Sequence, residues 1–202
     1  MLVSIKAKLA YLAMPKTGST SVEKALGPHC DLKFHKSPTV KHTNLRKYRR
    51  FIQPYLKAMG IEGVTTVCVV REPVGWLRSW HAYRQRDALD GHPNSTKDVG
   101  FADFVAAYLS DEPPAWARVG RQSDFVADRT GAPGVDRMFR HDDMEGFAAF
   151  LGRRTKSAIE FPRLNVSPRA EAELPAALRA RLEVERPEDF ALYESLSSRA
   201  AA

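Results

Sequence analysis

Pro15-Lys16-Thr17-Gly18-Ser19-Thr20-Ser21 is the stretch whose reading decides the fold. Ahead of it, Ala7 to Met14 (AKLAYLAM) is short and mostly apolar and reads as a strand; behind it, Ser21 to Leu26 (SVEKAL) reads as the start of a helix. Strand, tight turn and helix is the layout in which backbone N–H groups at a helix N-terminus point at an anion. Pro15 ends the strand, and Gly18 permits a turn that a residue with a Cβ resists. Any of Ser19, Thr20 and Ser21 can cap the helix, and Lys16 adds one mobile positive charge. The loop is not a Walker A motif, in which Lys follows a second Gly; here Lys16 precedes the only Gly. The plainer alternative is a strand–helix turn whose polar residues only cap the helix.

A second stretch favours the anion cradle. Val64 to Val70 (VTTVCVV) is almost wholly β-branched or apolar and predicts a strand buried on both faces, as in a parallel sheet. It runs into Arg71-Glu72-Pro73, and a helix pattern follows from Val74 to about Arg86. Arg71 therefore stands at the C-terminal end of a central strand, the edge at which open α/β sheets bind ligands. Ser79 lies about two turns along the next helix, so an Arg fork and a Ser hydroxyl can share one phosphate.

Pro-Lys-Thr-Gly-Ser-Thr-Ser after a strand, then Val-Arg-Glu-Pro with a Ser eight residues past the Arg, resembles the sulfotransferase superfamily that uses 3′-phosphoadenosine 5′-phosphosulfate (PAPS). The resemblance implies a three-layer, P-loop-like α/β fold, with a central mostly parallel sheet flanked by helices. It implies that Lys16, Thr17, Gly18, Ser19, Thr20 and Ser21 hold the 5′-phosphosulfate, and that Arg71 and Ser79 hold the 3′-phosphate. It further implies that Lys16 stabilises the charge developing on the leaving phosphate, that the product is 3′-phosphoadenosine 5′-phosphate (PAP), and that no metal takes part. The motifs cover residues 11–27 and 64–84. The Arg-Lys-Gly motif of the aryl- and steroid-sulfating branch is absent, which points to the carbohydrate-type branch. In that branch a His or Glu deprotonates the acceptor hydroxyl. His42, just ahead of the next helix, is expected to take that role; His35 and Glu23 or another carboxylate are the rivals, and His81, within a helix pattern, and His141, after a strand, are weaker candidates. Arg163, Asn165 and Ser167 are expected near the cofactor. Two other classes stay open: a small-molecule or nucleotide kinase of similar loop architecture, and a non-catalytic PAP-binding protein.

The remaining chain fits one domain over residues 1–202. Residues 31–42 are expected to hold a short strand. Residues 43–59 have helical period, with Leu45, Tyr48, Ile52 and Leu56 inward, Thr43 or Asn44 as cap, and Pro54 forcing a kink or early stop. Arg46, Lys47, Arg49 and Arg50 occupy the other face, either solvated or lining the path of an acidic acceptor. Trp76, Leu77, Trp80 and Tyr83 form the buried stripe of the helix after Arg71. Phe101 to Leu109 predicts a short helix. Residues 115–134 read as an irregular segment able to act as a lid, with Arg121 and Gln122 facing the site. Val135 to Arg140 predicts a strand, Asp142 or Asp143 the cap of a helix to about Leu151, and residues 174–196 one or two helices broken at Pro187.

The net charge of +7 suits anionic partners, and PAPS itself meets that description. No nucleic-acid motif is evident, no His/Cys/Asp cluster has zinc spacing, and no apolar run reaches membrane-spanning length. Two cysteines, Cys30 and Cys68, make no disulfide framework, so the expected setting is the cytoplasm. The acceptor is an alcohol or amine, with a sugar hydroxyl, a lipid-linked alcohol and a small metabolite all chemically suitable.

Overall fold

The computed structural model describes residues 1–162 and 173–196, so Arg163, Asn165 and Ser167 lie outside the described residues. The chain opens with a hairpin, β1 (Leu2–Ser4) and β2 (Leu9–Tyr11), paired antiparallel with Leu2 opposite Tyr11. After the loop come α1 (Ser19–Leu26), β3 (Leu32–Lys33) and α2 (Pro38–Lys41). A long helical run is made of α3 (Leu45–Lys47), a π-helical segment (Tyr48–Ile52) and α4 (Gln53–Ala58). Next are β4 (Thr65–Val70), α5 (Pro73–Arg84), α6 (Phe101–Tyr108), α7 (Gln122–Val126), β5 (Arg137–Arg140), α8 (Met144–Thr155), α9 (Ala176–Glu185) and α10 (Pro187–Ser195).

The sheet order is β3-β1-β2-β4-β5. β4 is flanked by β2 and β5, both parallel to it, whereas β1 is antiparallel to β2 and to β3. The sheet is therefore mixed rather than mostly parallel. The difference comes from the first residues, where sequence reading placed no strand. Leu2–Ser4 is too short to show a period, and its turn at Ile5–Lys8 is closed by Lys8 at φ 47° instead of the Gly or Asn that marks such turns.

Alternation along the strands sends successive side chains to opposite faces. Ala10, Leu12, Met14, Cys68 and Val70 pack with Leu45, Tyr48 and Leu56 of the long helical run and with Val126 and Leu192. Leu9, Tyr11, Val67 and Val69 pack with Val22 and Leu26 of α1 and with Phe147 and Leu151 of α8. Helices thus cover both faces. A third apolar cluster joins Trp76 and Leu77 of α5 to Phe101 and Phe104 of α6 and Leu182 of α9.

Local chemistry sets the helix starts. Asn44 caps α3 by accepting from Lys47 N (3.0 Å), and Asp143 caps α8 by accepting from Gly146 N (3.0 Å). Pro54 neither stops nor breaks the run; the backbone widens into the π segment just before it, which accommodates the missing N–H. Of the expected α5 stripe, Trp76 and Leu77 are buried and Trp80 is half-buried, but Tyr83 is exposed. Its ring has a different task, described below.

Candidate functional site

The loop after β2 stays on the sheet edge for one more bond, Leu12 N donating to Val67 O (2.8 Å), then turns away. Thr17 is fully buried, and its Oγ1 donates to Met14 O (2.9 Å), tying the turn to the strand end. Lys16 and Gly18 both adopt positive φ, 66° and 73°. Gly18 itself is the N-cap of α1, with no side-chain cap, so none of Ser19, Thr20 and Ser21 serves as the cap that their hydroxyls suggested. The reason is geometric: the left-handed turn at Gly18 starts the helix at Ser19, which puts all three hydroxyl residues in the first turn. Ser21 N and Val22 N donate to Gly18 O (3.0 and 3.2 Å), and the N–H groups ahead of them, at Ser19 and Thr20, are the ones a helix start leaves without intrahelical acceptors. Trp76 Nε1 of α5 donates to Pro15 O (2.9 Å) and holds the loop from the far side.

Arg71 follows β4 directly, and its guanidinium reaches across to Lys16 O (Nη1–O 3.4 Å). Its backbone is clamped by Gln122, which is fully buried: Arg71 N donates to Oε1 (2.9 Å), and Nε2 donates to Arg71 O (2.7 Å). The Gln122 amide is consumed by the backbone and does not face the site. Arg121 lies 3.9 Å from Glu188. Glu72, the N-cap of α5, accepts from Gly75 N (2.6 Å), and a Cβ on Gly75 would come 3.2 Å from that Glu72 Oε2 but only within ordinary contact, 3.5 Å, of Arg71 Nε. Ser79 stands one turn further along α5 on that face. No direct bond joins Ser79 to Arg71.

The site is crowded with positive charge. Among the described residues neither Lys16 nor Arg71 has a carboxylate within ion-pairing distance. Burial, followed by the nearby Arg86 and Arg71 charges, pushes the Lys16 ammonium down to about 7. The Lys16 Nζ lies 3.8 Å from the Tyr83 ring centroid, and the Arg86 guanidinium 4.4 Å from the same ring. Tyr83 is thus a π surface beneath two cations rather than a core residue.

His141, a weaker candidate for the base on sequence grounds, stands at the site. It immediately follows β5, its N–H donates to Val70 O (2.7 Å), and its Nε2 lies 3.8 Å from where a Gly18 Cβ would be. Burial and then the Arg71 charge press it down to about 4, so it is neutral near pH 7. The signal was available: His141 ends a parallel strand beside Arg71, the same sheet edge that identified Arg71.

His42 also reaches this edge. Its Nδ1 lies 2.6 Å from Ala13 O, three residues ahead of Lys16. Because only an N–H can donate to that carbonyl, the proton sits on Nδ1 and the lone pair on Nε2. Burial is the largest influence and lowers its pKa, so the ring is neutral near pH 7. Of the rivals, His35 is exposed, and Glu23 is engaged by Lys41 (Nζ–Oε2 2.9 Å). His81 is buried against Val99 O (2.7 Å) as part of the α5–α6 packing. A separate cavity of about 270 Å³, lined by Tyr48, Leu56, Ile61 and Val64 among others, lies at the opposite end of β4. Among the described residues no group of three or more His, Cys, Asp or Glu is arranged to hold a metal ion, and no helix is long and apolar enough to cross a membrane. No protein-family model matches this chain, and no curated protein matches it.

Proposed function

We infer that the protein is a PAPS-dependent sulfotransferase of P-loop-like fold, moving a sulfuryl group to an acceptor hydroxyl or amine. One observation carries this reading: the Arg71 guanidinium and the Lys16 loop meet at one sheet edge, beside a helix N-terminus, with neither cation ion-paired to a carboxylate among the described residues. Such a cluster repels itself and is relieved by a polyanion with two separated charged groups. PAPS has that form, and the motif order favours it over a nucleoside triphosphate.

In this reading the first-turn N–H groups of α1 and the Lys16 ammonium hold the phosphosulfate end. Lys16 then stabilises the negative charge that develops on the departing phosphate. Arg71, with its backbone fixed by Gln122, anchors the 3′-phosphate together with Ser79 and so fixes the donor's position. His42 takes the acceptor proton on Nε2, its ring oriented by Ala13 O. The acceptor oxygen forms the new bond to sulfur as the sulfur–oxygen bond to the 5′-phosphate breaks, and PAP leaves.

The test is thermal unfolding with added nucleotides. PAP should raise the melting temperature by mass action, and ATP with Mg²⁺ should do so far less. Equal shifts from the two, or none from PAP, would reject the reading. PAP binding without sulfate transfer from labelled PAPS to any acceptor in a broad panel would assign a non-catalytic PAP-binding protein instead.

A further inference from the structure

The positive charge of the chain is concentrated in one place. Between Leu32 and Ile61 there are eight Lys and Arg residues and no Asp or Glu, which accounts for the whole net charge of +7. The centre of this segment is the α3–α4 helical run. Its inner face is spent on the core through Leu45, Tyr48 and Leu56. Its outer face is not polar throughout. Phe51, Tyr55 and Met59 follow one another at four-residue spacing and are 58%, 53% and 60% exposed. Residues so spaced form one stripe. Arg50 lies over Phe51 at 5.1 Å from the ring centroid. Arg46 and Arg49 turn inward to the backbone of Asp128 and Gly134 (2.9 and 2.8 Å). Lys47, one helical turn ahead of Phe51, and Arg50 remain beside the apolar stripe, and among the described residues neither has a carboxylate within ion-pairing distance.

We propose that this face of the α3–α4 run docks the protein on a membrane surface that carries anionic lipid. The stripe of Phe51, Tyr55 and Met59 enters the headgroup region, and Lys47 and Arg50 lie against lipid phosphates. The pairing of features selects this occupant. An aqueous polyanion would neutralise the cations but leave three large apolar side chains in water. A second copy of the chain would bury the stripe but press two strongly cationic segments together. A bilayer interface takes apolar side chains and cations on one helix face. The proposal is independent of the sulfotransferase reading, because none of these residues belongs to that site.

Co-sedimentation of the full chain with phosphatidylcholine vesicles, with and without phosphatidylserine, tests it. Binding should require phosphatidylserine and weaken with salt. The triple variant F51S/Y55S/M59S should lose roughly tenfold or more in binding, and K47Q and R50Q about fivefold each. The unfolding temperature and its response to PAP should stay unchanged in every variant, which separates docking from folding. Three results would overturn the proposal: no binding to phosphatidylserine vesicles; binding that survives the triple variant, which would make the face a plain polyanion site; or a dimer in free solution that the triple variant dissolves, which would make the stripe a self-interface.

Discussion

Arg71 concentrates three roles at one residue: it ends the central strand, bonds the Lys16 carbonyl and charges the site. Its guanidinium can give two charge-assisted bonds to one phosphate, so Arg71→Ala should weaken PAP binding by about 2–3 kcal/mol. Ser79→Ala, losing one neutral bond, should cost about 1 kcal/mol; isothermal titration with PAP checks both. Lys16→Ala should lower turnover by about two to three orders of magnitude, the range for removing one donor to developing charge. His42→Ala should lower it by about two to four orders while leaving PAP affinity intact, because a base touches the acceptor and not the nucleotide. The pH profile carries the sign. Burial holds the His42 pKa below its ordinary value, so the acidic limb of the rate should lie below pH 6.5 and should vanish in His42→Ala. Near-normal activity in His42→Ala would transfer the base role to another group.

At the scale of elements, the site stands on how two strand ends are held. Gln122 satisfies both backbone groups of Arg71 from α7, a short helix inside a segment that reads as irregular. Gln122→Leu keeps the volume but strands a buried N–H and C=O. It should destabilise the fold by at least about 2 kcal/mol and weaken PAP binding together with it, as urea unfolding and titration will register. Gly18→Ala tests the turn: the added Cβ meets His141 Nε2 at 3.8 Å, an ordinary contact. Its cost is therefore conformational, about 1–2 kcal/mol for a left-handed φ. These elements also show what the sequence makes legible. β4, α5 and the loop after β2 were readable because a buried strand, a Gly turn and a helix period each leave a local mark. β1 was not, since three residues show no period and Lys8 supplies no turn signature. Gln122 and Tyr83 were not, since a backbone clamp and a π surface depend on partners distant in sequence, Arg71 for Gln122 and Lys16 for Tyr83. His42 was readable as a residue type ahead of a helix; its bond to Ala13 belongs to the tertiary fold.

For the whole molecule, the decisive feature is that the site gathers buried cations that no carboxylate pairs among the described residues. Lys16 in the native state has a pKa of about 7 against an ordinary 10.5. Between those values the unfolded chain holds a proton that the native chain lacks, so the lysine's contribution to stability rises with pH across that window, while burial of the Cys30 and Cys68 thiols, raised from 9.0 to about 11 and about 12, opposes it above about pH 9. Carboxylates are silent there, but the Met1 amino group, lowered by burial from 8.0 to about 6, contributes a rise of its own at the lower end. The comparison with Lys16→Met isolates the lysine. Without ligand, Lys16→Met should be more stable than the wild type near neutral pH, and its advantage should shrink steadily as pH climbs toward 10. A bound polyanion reverses the balance by restoring the Lys16 proton. PAP should therefore stabilise the wild type more at pH 6.5 than at pH 9, and binding in the upper part of this range should take up a proton. That uptake appears as a buffer-dependent enthalpy in titration calorimetry, and Lys16→Met should abolish it. A wild type that binds PAP with no proton uptake, and equally well at both pH values, would mean that the Lys16 ammonium does not meet the ligand.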